Sequence, residues 1–208
     1  MKNNQTELKE HFRTYEKIVD NEFMIEDFSE MESVNYVYNA FPNDVDILVG
    51  VSCIYFFMPI IINDSFNPHN IESLRQSYNK MMEYKGILNN YISALPFAQD
   101  ALNIINSEKL MFHNSKKKAV LEWLYYINYS TALSLNSEYF EDNVKKIVNK
   151  AASCLDELIL LKPGKSLYYA DKYLLYSIFG MESEAEEFLS VLKETSRRIY
   201  SKVMKINS

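Results

Sequence analysis

The sequence predicts an all-α fold, in which antiparallel helical hairpins pack as a compact bundle of about eight helices. Only 4 Gly and 5 Pro occur in 208 residues, whereas β-sandwiches and barrels need those residues at many turns. A doubly wound nucleotide-binding fold also needs Gly at its first phosphate turn. Apolar residues recur at three- and four-residue spacing along most of the chain, which is typical of amphipathic helices.

Two apolar stripes at helical spacing predict two helices in the N-terminal part of the chain. The first stripe runs from Thr6 to about Asn21, and the second runs from Ile25 to Phe41. Pro42 ends the second helix, because the residue before a proline is disfavoured in the α region.

An uncharged block from Ile47 to Ile62 follows directly after Asp46. A transmembrane helix needs ~20 apolar residues, and this block is shorter and has acidic rather than basic flanks. We therefore expect a helix surrounded by other helices, capped by Asn43 or Asp44, which Pro59 kinks or ends.

The remaining helix boundaries are predicted from Pro, Gly and capping residues. Starts are predicted at Asn67, Pro96 and Ser183, and ends at Pro163-Gly164 and Gly180. His113–Lys118 is predicted to be a polar turn, within which Ser115 caps the helix that follows. The helix that begins at Ser183 is expected to run close to the C-terminus. Together these helices form one all-helical domain over residues 1–208. A subdivision into acidic N-terminal helices, 1–66, and a helical-hairpin array, 67–208, is the alternative.

The last hairpin, residues 167–195, resembles a tetratricopeptide repeat. The positions that match are Tyr169, Tyr176, Gly180 and Ala185, with Phe188 and Leu189 straddling the last aromatic position. Lys172 and Tyr173 depart from the family pattern. The spacing is close to the period of that family. The resemblance implies a helical-repeat-like scaffold whose concave face grips a peptide or a protein.

The acidic residues are concentrated near the N-terminus. Residues 1–50 hold four basic and eleven acidic residues, while the net charge of the whole chain is −6. An acidic surface attracts basic partners and repels phosphate, and a nucleic-acid-binding chain shows the opposite sign. Simple solvation of an exposed helix is the alternative. The acids predicted to bind a partner are Glu22, Glu26, Asp27, Glu30 and Glu32.

The chain is rich in tyrosine, with 16 Tyr and 12 Phe. Tyrosine joins a large apolar body to a hydrogen-bonding tip, which suits binding interfaces. Tyr126 and Tyr129 on one predicted helix, and Tyr169 and Tyr173 on another, are therefore predicted to line a partner-binding groove. Filling of the core is the alternative.

No pattern of residues points to catalysis or to a metal. The histidines His11, His69 and His113 lack metal-ligand spacing, and neither a phosphate-binding loop nor a nucleophile elbow is present. The sequence therefore predicts no catalytic residue, no metal and no cofactor. An internal pocket is the alternative, because Glu122, Asn128 and Asp171 interrupt otherwise apolar helices.

The predicted function is that of a non-enzymatic protein-binding module, of the immunity, antitoxin or chaperone type, which captures a basic partner through an acidic face. A ligand-sensing or enzymatic helical protein with a Tyr-lined internal pocket is the alternative, and a homo-oligomer is a further one. Two cysteines in apolar runs and the absence of a signal-peptide pattern predict a cytoplasmic protein that binds neither nucleic acid nor membrane. The Asn-, Ile-, Lys- and Tyr-rich composition is associated with bacterial or phage genomes.

Overall fold

The chain is helical wherever its structure is described. A computed structural model describes residues 2–21, 25, 28–61, 86–107, 113–135 and 141–206. Those residues form nine α-helices and no strand, which confirms the predicted all-α class. The helices are α1 (Lys2–Asp20), α2 (Phe28–Ala40), α3 (Val45–Ile61), α4 (Gly86–Ser107), α5 (His113–Leu135), α6 (Glu141–Leu161), α7 (Ser166–Ile178), α8 (Glu182–Thr195) and α9 (Arg197–Ile206).

The packing of the helices divides the chain into two compact units, Met1–Lys109 and Leu110–Ser208. In the first unit α1 packs on α2, α2 on α3, and α3 on α4. In the second unit each of α5, α6, α7 and α8 packs on the next, and α9 packs on both α7 and α8. The predictions of one domain over residues 1–208, and of a subdivision at residue 66, stay predictions.

The uncharged block forms most of α3 and lies in the core of the first unit. Every side chain from Ile47 to Phe57 is buried or half-buried, which confirms the predicted buried helix. Asp44 caps α3, because its carboxylate accepts hydrogen bonds from the backbone N–H groups of Asp46 and Ile47, at 2.9 and 3.2 Å. The helix continues past Pro59 to Ile61. Over the described residues, no helix combines the length and apolarity that a membrane span requires.

Gly50 of α3 leaves room for the Tyr15 side chain of α1. The hydroxyl of Tyr15 on α1 donates a hydrogen bond to the Ile47 carbonyl oxygen over 3.3 Å, and it occupies the space that a Cβ on Gly50 would need. Burial raises the pKa of Tyr15 strongly, with smaller contributions from Cys53, Asp44 and Asp46. A glycine is therefore required at this position for packing rather than for its backbone dihedral angles.

The predicted helix start at Pro96 is wrong, because α4 runs through it from Gly86 to Ser107. A proline inside a helix removes one backbone hydrogen bond. Tertiary packing offsets that loss here, since Ala94 and Ala98 are fully buried and Ser52 of α3 donates a hydrogen bond to the Ala94 carbonyl oxygen over 2.9 Å. The predicted start at Asn67 lies outside the described residues.

The predicted turn at His113–Lys118 is also wrong, because these residues form the first turns of α5 and Ser115 lies inside the helix. The first turns of α5 are largely exposed, which suits polar residues. Two of the lysines there form ion pairs with carboxylates. The Nζ atom of Lys117 lies 2.8 Å from a carboxylate oxygen of Glu157 on α6, and that of Lys118 lies 3.1 Å from Glu122 one turn along.

Gly180 ends α7 as predicted, in a left-handed conformation with φ 68°. The N–H groups of Gly180 and Met181 donate hydrogen bonds to the carbonyl oxygens of Ser177 and Tyr176, at 3.3 and 2.9 Å, which is a Schellman motif. Met181 is then the N-cap of α8, so the predicted cap at Ser183 is wrong. The expected single last helix is interrupted at Ser196, whose ψ of 87° is not helical.

Candidate functional site

The five acids predicted to bind a partner are not all surface residues. Glu22, Glu26 and Asp27 lie outside the described residues. Glu30 is buried on α2, and its carboxylate pairs with the Lys17 ammonium of α1 at 3.3 Å. Glu32 is exposed. Of the two described acids, only Glu32 is thus available to a partner at the surface.

The four predicted tyrosines occupy two different environments. Tyr126 is exposed and Tyr129 half-buried, and both lie on α5. On α7, Tyr173 is buried in the core and Tyr169 is half-buried. Asp171 lies two residues from each of Tyr169 and Tyr173, so these two tyrosines face away from it. Tyr126 and Tyr129 are therefore the predicted tyrosines that α5 presents on its outer face.

Two stripes of half-exposed side chains run along α5 and α7 with the same helical spacing of four, three and four residues. In each stripe one acid accompanies three apolar or aromatic residues, and none of the eight is buried. We name the two stripes together the α5–α7 surface, which consists of Glu122, Tyr126, Tyr129 and Leu133 on α5 and Leu167, Asp171, Leu174 and Ile178 on α7. Exposed fractions reach 39% for Tyr126, 53% for Leu167 and 44% for Ile178.

A hydrogen-bonded set of charged and polar side chains joins α7 to α5. The Tyr168 hydroxyl donates to Glu122 Oε1 over 2.7 Å, and Lys165 Nζ donates to the Tyr168 hydroxyl over 3.2 Å. Two ammonium groups flank the Glu122 carboxylate, Lys118 at 3.1 Å and Lys165 at 3.6 Å. The negative charge of Glu122 is thus matched by two lysines and one hydroxyl donor.

These contacts lower the pKa of Glu122 and raise the pKa of Tyr168. Burial alone would raise the pKa of Glu122, but the hydrogen bonds from Tyr168 and Lys118, with Lys165 nearby, hold that pKa below its ordinary value. Burial and the hydrogen bond to Glu122 raise the pKa of Tyr168 to about 12. Tyr168 is therefore a neutral hydrogen-bond donor at physiological pH, and Glu122 is ionised.

Asp171 lies beside this set and differs from Glu122. Within the described part of the chain, its carboxylate makes neither a hydrogen bond nor an ion pair. Burial raises the pKa of Asp171 to about 6, with Lys165 lowering it and Glu122 raising it. Asp171 is thus a half-buried carboxylate without a direct polar contact among the described residues.

Two pairs of stacked aromatic rings lie along α5. The rings of Tyr125 and Tyr129 stack with their centroids 5.7 Å apart and their planes 20° apart. Burial raises the pKa of Tyr125, and the negative charges of Asp171 and Tyr129 raise it further. Trp123 stacks on Tyr126 in the same way, at 5.6 Å. α5 therefore presents stacked aromatic rings on its half-exposed side.

Neither Glu122 nor Asn128 has the environment of a group inside a pocket. The Glu122 side chain is 38% exposed and ion-paired. Asn128 is buried, and its Nδ2 donates to the Leu124 carbonyl oxygen of its own helix over 2.6 Å. In the described ranges, no group of three or more His, Cys, Asp or Glu side chains is placed to hold a metal ion.

A separate cleft of about 710 Å³ lies where α8 meets α9. Its walls are polar and mostly exposed, and they are formed by Ser190, Lys193, Glu194, Arg197, Tyr200 and Ser201. Basic and acidic groups both line it, so it presents no single charge to a ligand.

Sequence reasoning did not identify Leu167, Leu174 and Ile178 as surface residues. A leucine at helical spacing is expected in the core, and only the packing of α7 against its neighbours reveals which stripe stays outside. One feature of the sequence does indicate that some apolar residues of α7 stay at the surface. The helix contains more apolar positions than a single buried face requires.

Comparison of the chain with protein-family models, with curated proteins and with solved structures finds no match.

Proposed function

We propose that this chain is a non-enzymatic protein-binding module and that a segment of its partner lies along the α5–α7 surface. The observation that carries this proposal is the pair of half-exposed apolar stripes on two helices that the Tyr168–Glu122 hydrogen bond joins. Exposed apolar patches with polar residues at their edge mark sites of protein–protein contact. Tyrosine and tryptophan are enriched at such sites because they combine contact area with hydrogen bonding.

The proposed partner segment is basic as well as apolar. The acid excess of residues 1–50, to which exposed Glu32 belongs, motivates a basic partner, whereas on the α5–α7 surface the charge of Glu122 is matched by Lys118 and Lys165. Oppositely charged surfaces speed association and disfavour wrong partners. Neutralisation of a basic toxin and chaperoning of a basic client are the two roles that we propose for such a module, acting in the bacterial cytoplasm. The two buried free thiols, Cys53 and Cys154, are compatible with a reducing compartment.

The helical-repeat character of the second unit is part of the proposal. The α7–α8 hairpin turns at Gly180, buries Ala185, and brings the rings of Tyr176 and Phe188 to 6.0 Å. These are positions at which the chain resembles a tetratricopeptide repeat. In a stacked array of hairpins, α5 and α7 are the corresponding first helices of successive hairpins, and they would line the same binding face.

The geometry favours binding over an enzymatic or sensing pocket. An enzymatic or sensing site is usually a concave pocket, and the α8–α9 cleft contains neither Glu122 nor Asp171. Glu122 is ionised and held by two lysines, so it serves as a structural ion-pair partner. Asp171 is half-buried and lies near the positive charge of Lys165.

The test is capture of a partner by affinity-tagged chain from its native host, followed by titration of that purified partner. The double variant Tyr126→Ser, Leu167→Ser removes apolar area from both stripes of the surface. The matched control is Leu160→Ser on α6, because Leu160 is 78% exposed but lies outside the α5–α7 surface. Circular dichroism of each variant establishes that the helical fold is kept.

We expect the double variant to lose at least about tenfold in affinity for the captured partner, since two half-exposed apolar side chains are removed from the interface. Leu160→Ser should bind as the unmodified chain does. Equal affinity of the double variant and the control would contradict the proposal.

A further inference from the structure

We propose that α9 is a docking element for a second copy of this chain, and that the acidic first unit of the second copy lies against the basic outer side of α9. This inference goes beyond the proposed function, because α9 is separate from the α5–α7 surface.

Four basic side chains lie together on the outer side of α9. We name them the α9 basic face, which consists of Arg197, Arg198, Lys202 and Lys205, and all four are exposed. Their spacing places them on one side of the helix. On the opposite side Val203 is buried, and α9 packs on α7 and α8. Residues 195–208 contain no Asp or Glu, so this face carries charge of a single sign.

Local structure does not account for the two arginines of this face. Arg197 and Arg198 lie in the first turn of α9, which contains no acid. The helix dipole makes a positive charge unfavourable at this end of a helix and favourable at the other end. Among the described residues of the second unit, neither Arg197, Arg198 nor Lys202 forms an ion pair. An anionic group from outside the second unit would therefore supply the contact that balances these charges.

The first unit carries the complementary charge. Residues 18–74 contain ten acidic residues and neither Lys nor Arg. The members of this set that the structure describes as exposed are Asp20, Glu32, Asp44 and Asp46. Oppositely charged surfaces steer association and fix the register of a complex. Because the acidic surface and the basic face belong to different units of the chain, two copies can bring them together in a head-to-tail contact.

A second copy fits α9 better than a lipid surface or a nucleic acid does. Helices that lie on membranes bury their apolar side in lipid, whereas the apolar side of α9 is already packed on α7 and α8. Proteins that bind nucleic acid carry an excess of positive charge, whereas the net charge of this chain is −6. That net charge repels phosphate at long range.

The experiment is sedimentation velocity of the full chain over a range of concentrations, at about 0.01 M and at about 1 M salt, between which the screening length falls from about 30 Å to about 3 Å. Two variants each remove one surface. Arg198→Glu, Lys202→Glu reverses the charge at the centre of the α9 basic face. Asp20→Asn, Glu32→Gln, Asp46→Asn neutralises the acidic surface.

The matched control is Lys145→Glu, Lys146→Glu on α6. It reverses two exposed lysines and so changes the net charge as much as the α9 variant does. Asp44 is kept in the acid variant because its carboxylate caps α3. Circular dichroism of each variant establishes that these surface changes leave the helical fold intact.

We expect the unmodified chain to associate at low salt and to dissociate at high salt. Each of the two variants should associate at least about tenfold more weakly, because an attraction between opposite charges is removed or reversed. The control should associate as the unmodified chain does. An equimolar mixture of the two variants should regain association, because one keeps the acidic surface and the other keeps the α9 basic face.

A chain that stays monomeric at low salt overturns the inference. A control that weakens association as much as Arg198→Glu, Lys202→Glu does so too, because net charge alone is then responsible. A mixture of the two variants that stays monomeric overturns the pairing of the two surfaces. If the chain is monomeric but binds duplex DNA or phosphatidylserine vesicles through α9, the basic face serves a phosphate-bearing partner and the second copy is excluded.

Discussion

Tyr168 and Glu122 are 46 residues apart in the sequence, yet the Tyr168 hydroxyl donates a hydrogen bond of 2.7 Å to the Glu122 carboxylate. This bond joins α7 to α5, and Lys118 and Lys165 complete the neutralisation of the acid. The contact holds in place the two helices that carry the α5–α7 surface. Its loss should therefore affect both the stability of the second unit and the geometry of the proposed binding face.

Replacement of Tyr168 by Phe should lower the free energy of unfolding by about 1 kcal/mol, because it removes one hydrogen bond to a charged but partly exposed group. Urea unfolding followed by circular dichroism measures this change. The control is Tyr169→Phe, whose half-buried hydroxyl lies on a different face of α7 and should cost much less. If both variants lower the free energy of unfolding by a similar amount, the hydrogen bond from Tyr168 to Glu122 makes no specific contribution to stability.

Replacement of Asp171 by Asn should stabilise the chain at neutral pH. The folded-state pKa of Asp171 is raised from 3.8 to about 6, so the folded state holds the proton more tightly than the unfolded chain does. The carboxyl therefore costs no stability below about pH 4, and its cost grows until the pH passes about 6. The charged and titratable groups that interact electrostatically with it are Lys165 at the N-cap of α7, Tyr168 on α7, and Glu122 and Tyr125 on α5.

Asparagine removes that cost, which is on the order of 2 kcal/mol at neutral pH. Urea unfolding of Asp171→Asn and of the unmodified chain, across this pH range, should give curves that meet near pH 4 and separate as the pH rises. The exposed Asp100→Asn serves as the comparison and should track the unmodified chain. An Asp171→Asn variant that is less stable at neutral pH would contradict this account of the site.

Replacement of Gly50 by Ala should destabilise the first unit by about 1–3 kcal/mol, because overpacking of a filled core forces neighbours to move. The new Cβ would overlap the Tyr15 hydroxyl, with the ring carbon Cζ at 3.1 Å. Gly164→Ala is the matched control, since nothing lies within 4 Å of its Cβ position. Adding Tyr15→Phe to Gly50→Ala should restore part of the lost stability, and a double variant as unstable as the sum of both changes would refute the overlap.

Because the ammonium group of Lys172 is buried, we expect Asp156→Asn and Lys172→Met to lower the stability of the chain by different amounts. Lys172 is 4% exposed; it forms an ion pair with Asp156 and lies 4.4 Å from the centroid of the Phe188 ring. Asp156→Asn leaves the buried charge without its carboxylate and should cost about 1 kcal/mol, a value reduced by the exposure of Asp156. Lys172→Met removes the charge and keeps the stem, so it should cost less than Asp156→Asn in urea unfolding. The reverse order would contradict the prediction.

The sequence correctly predicts the parts of the fold that are determined by residues close together in the chain. The block from Ile47 to Ile62 predicts a buried helix because its lack of charge is visible in one segment, and Gly180 predicts a helix end because left-handed backbone favours glycine. The errors at Pro96 and Ser183 arise where tertiary contacts or a neighbouring turn override local preference. Ser52, for example, lies 42 residues from Ala94, whose carbonyl oxygen it contacts.

The candidate site is harder to predict because its ion pairs and hydrogen bonds join residues that are far apart in the sequence, such as Glu122 with Lys165 and Tyr168. The sequence singles out Glu122 and Asp171 as polar residues within apolar helices, and it singles out Tyr126 and Tyr129. It contains no local sign that Glu122 is matched by Lys165 and Tyr168 while Asp171 is not. That difference depends on which side of α7 meets α5, and it appears only when the helices are packed.

The most direct test of the central claim, that a partner segment binds along the α5–α7 surface, is hydrogen–deuterium exchange of the full chain with and without its captured partner. The account predicts slower amide exchange in residues 122–133 and 167–178 on complex formation, with α1, α2 and the α8–α9 cleft unchanged. Protection confined to α1 and α2, or to the α8–α9 cleft, with no change in those two segments, would contradict it.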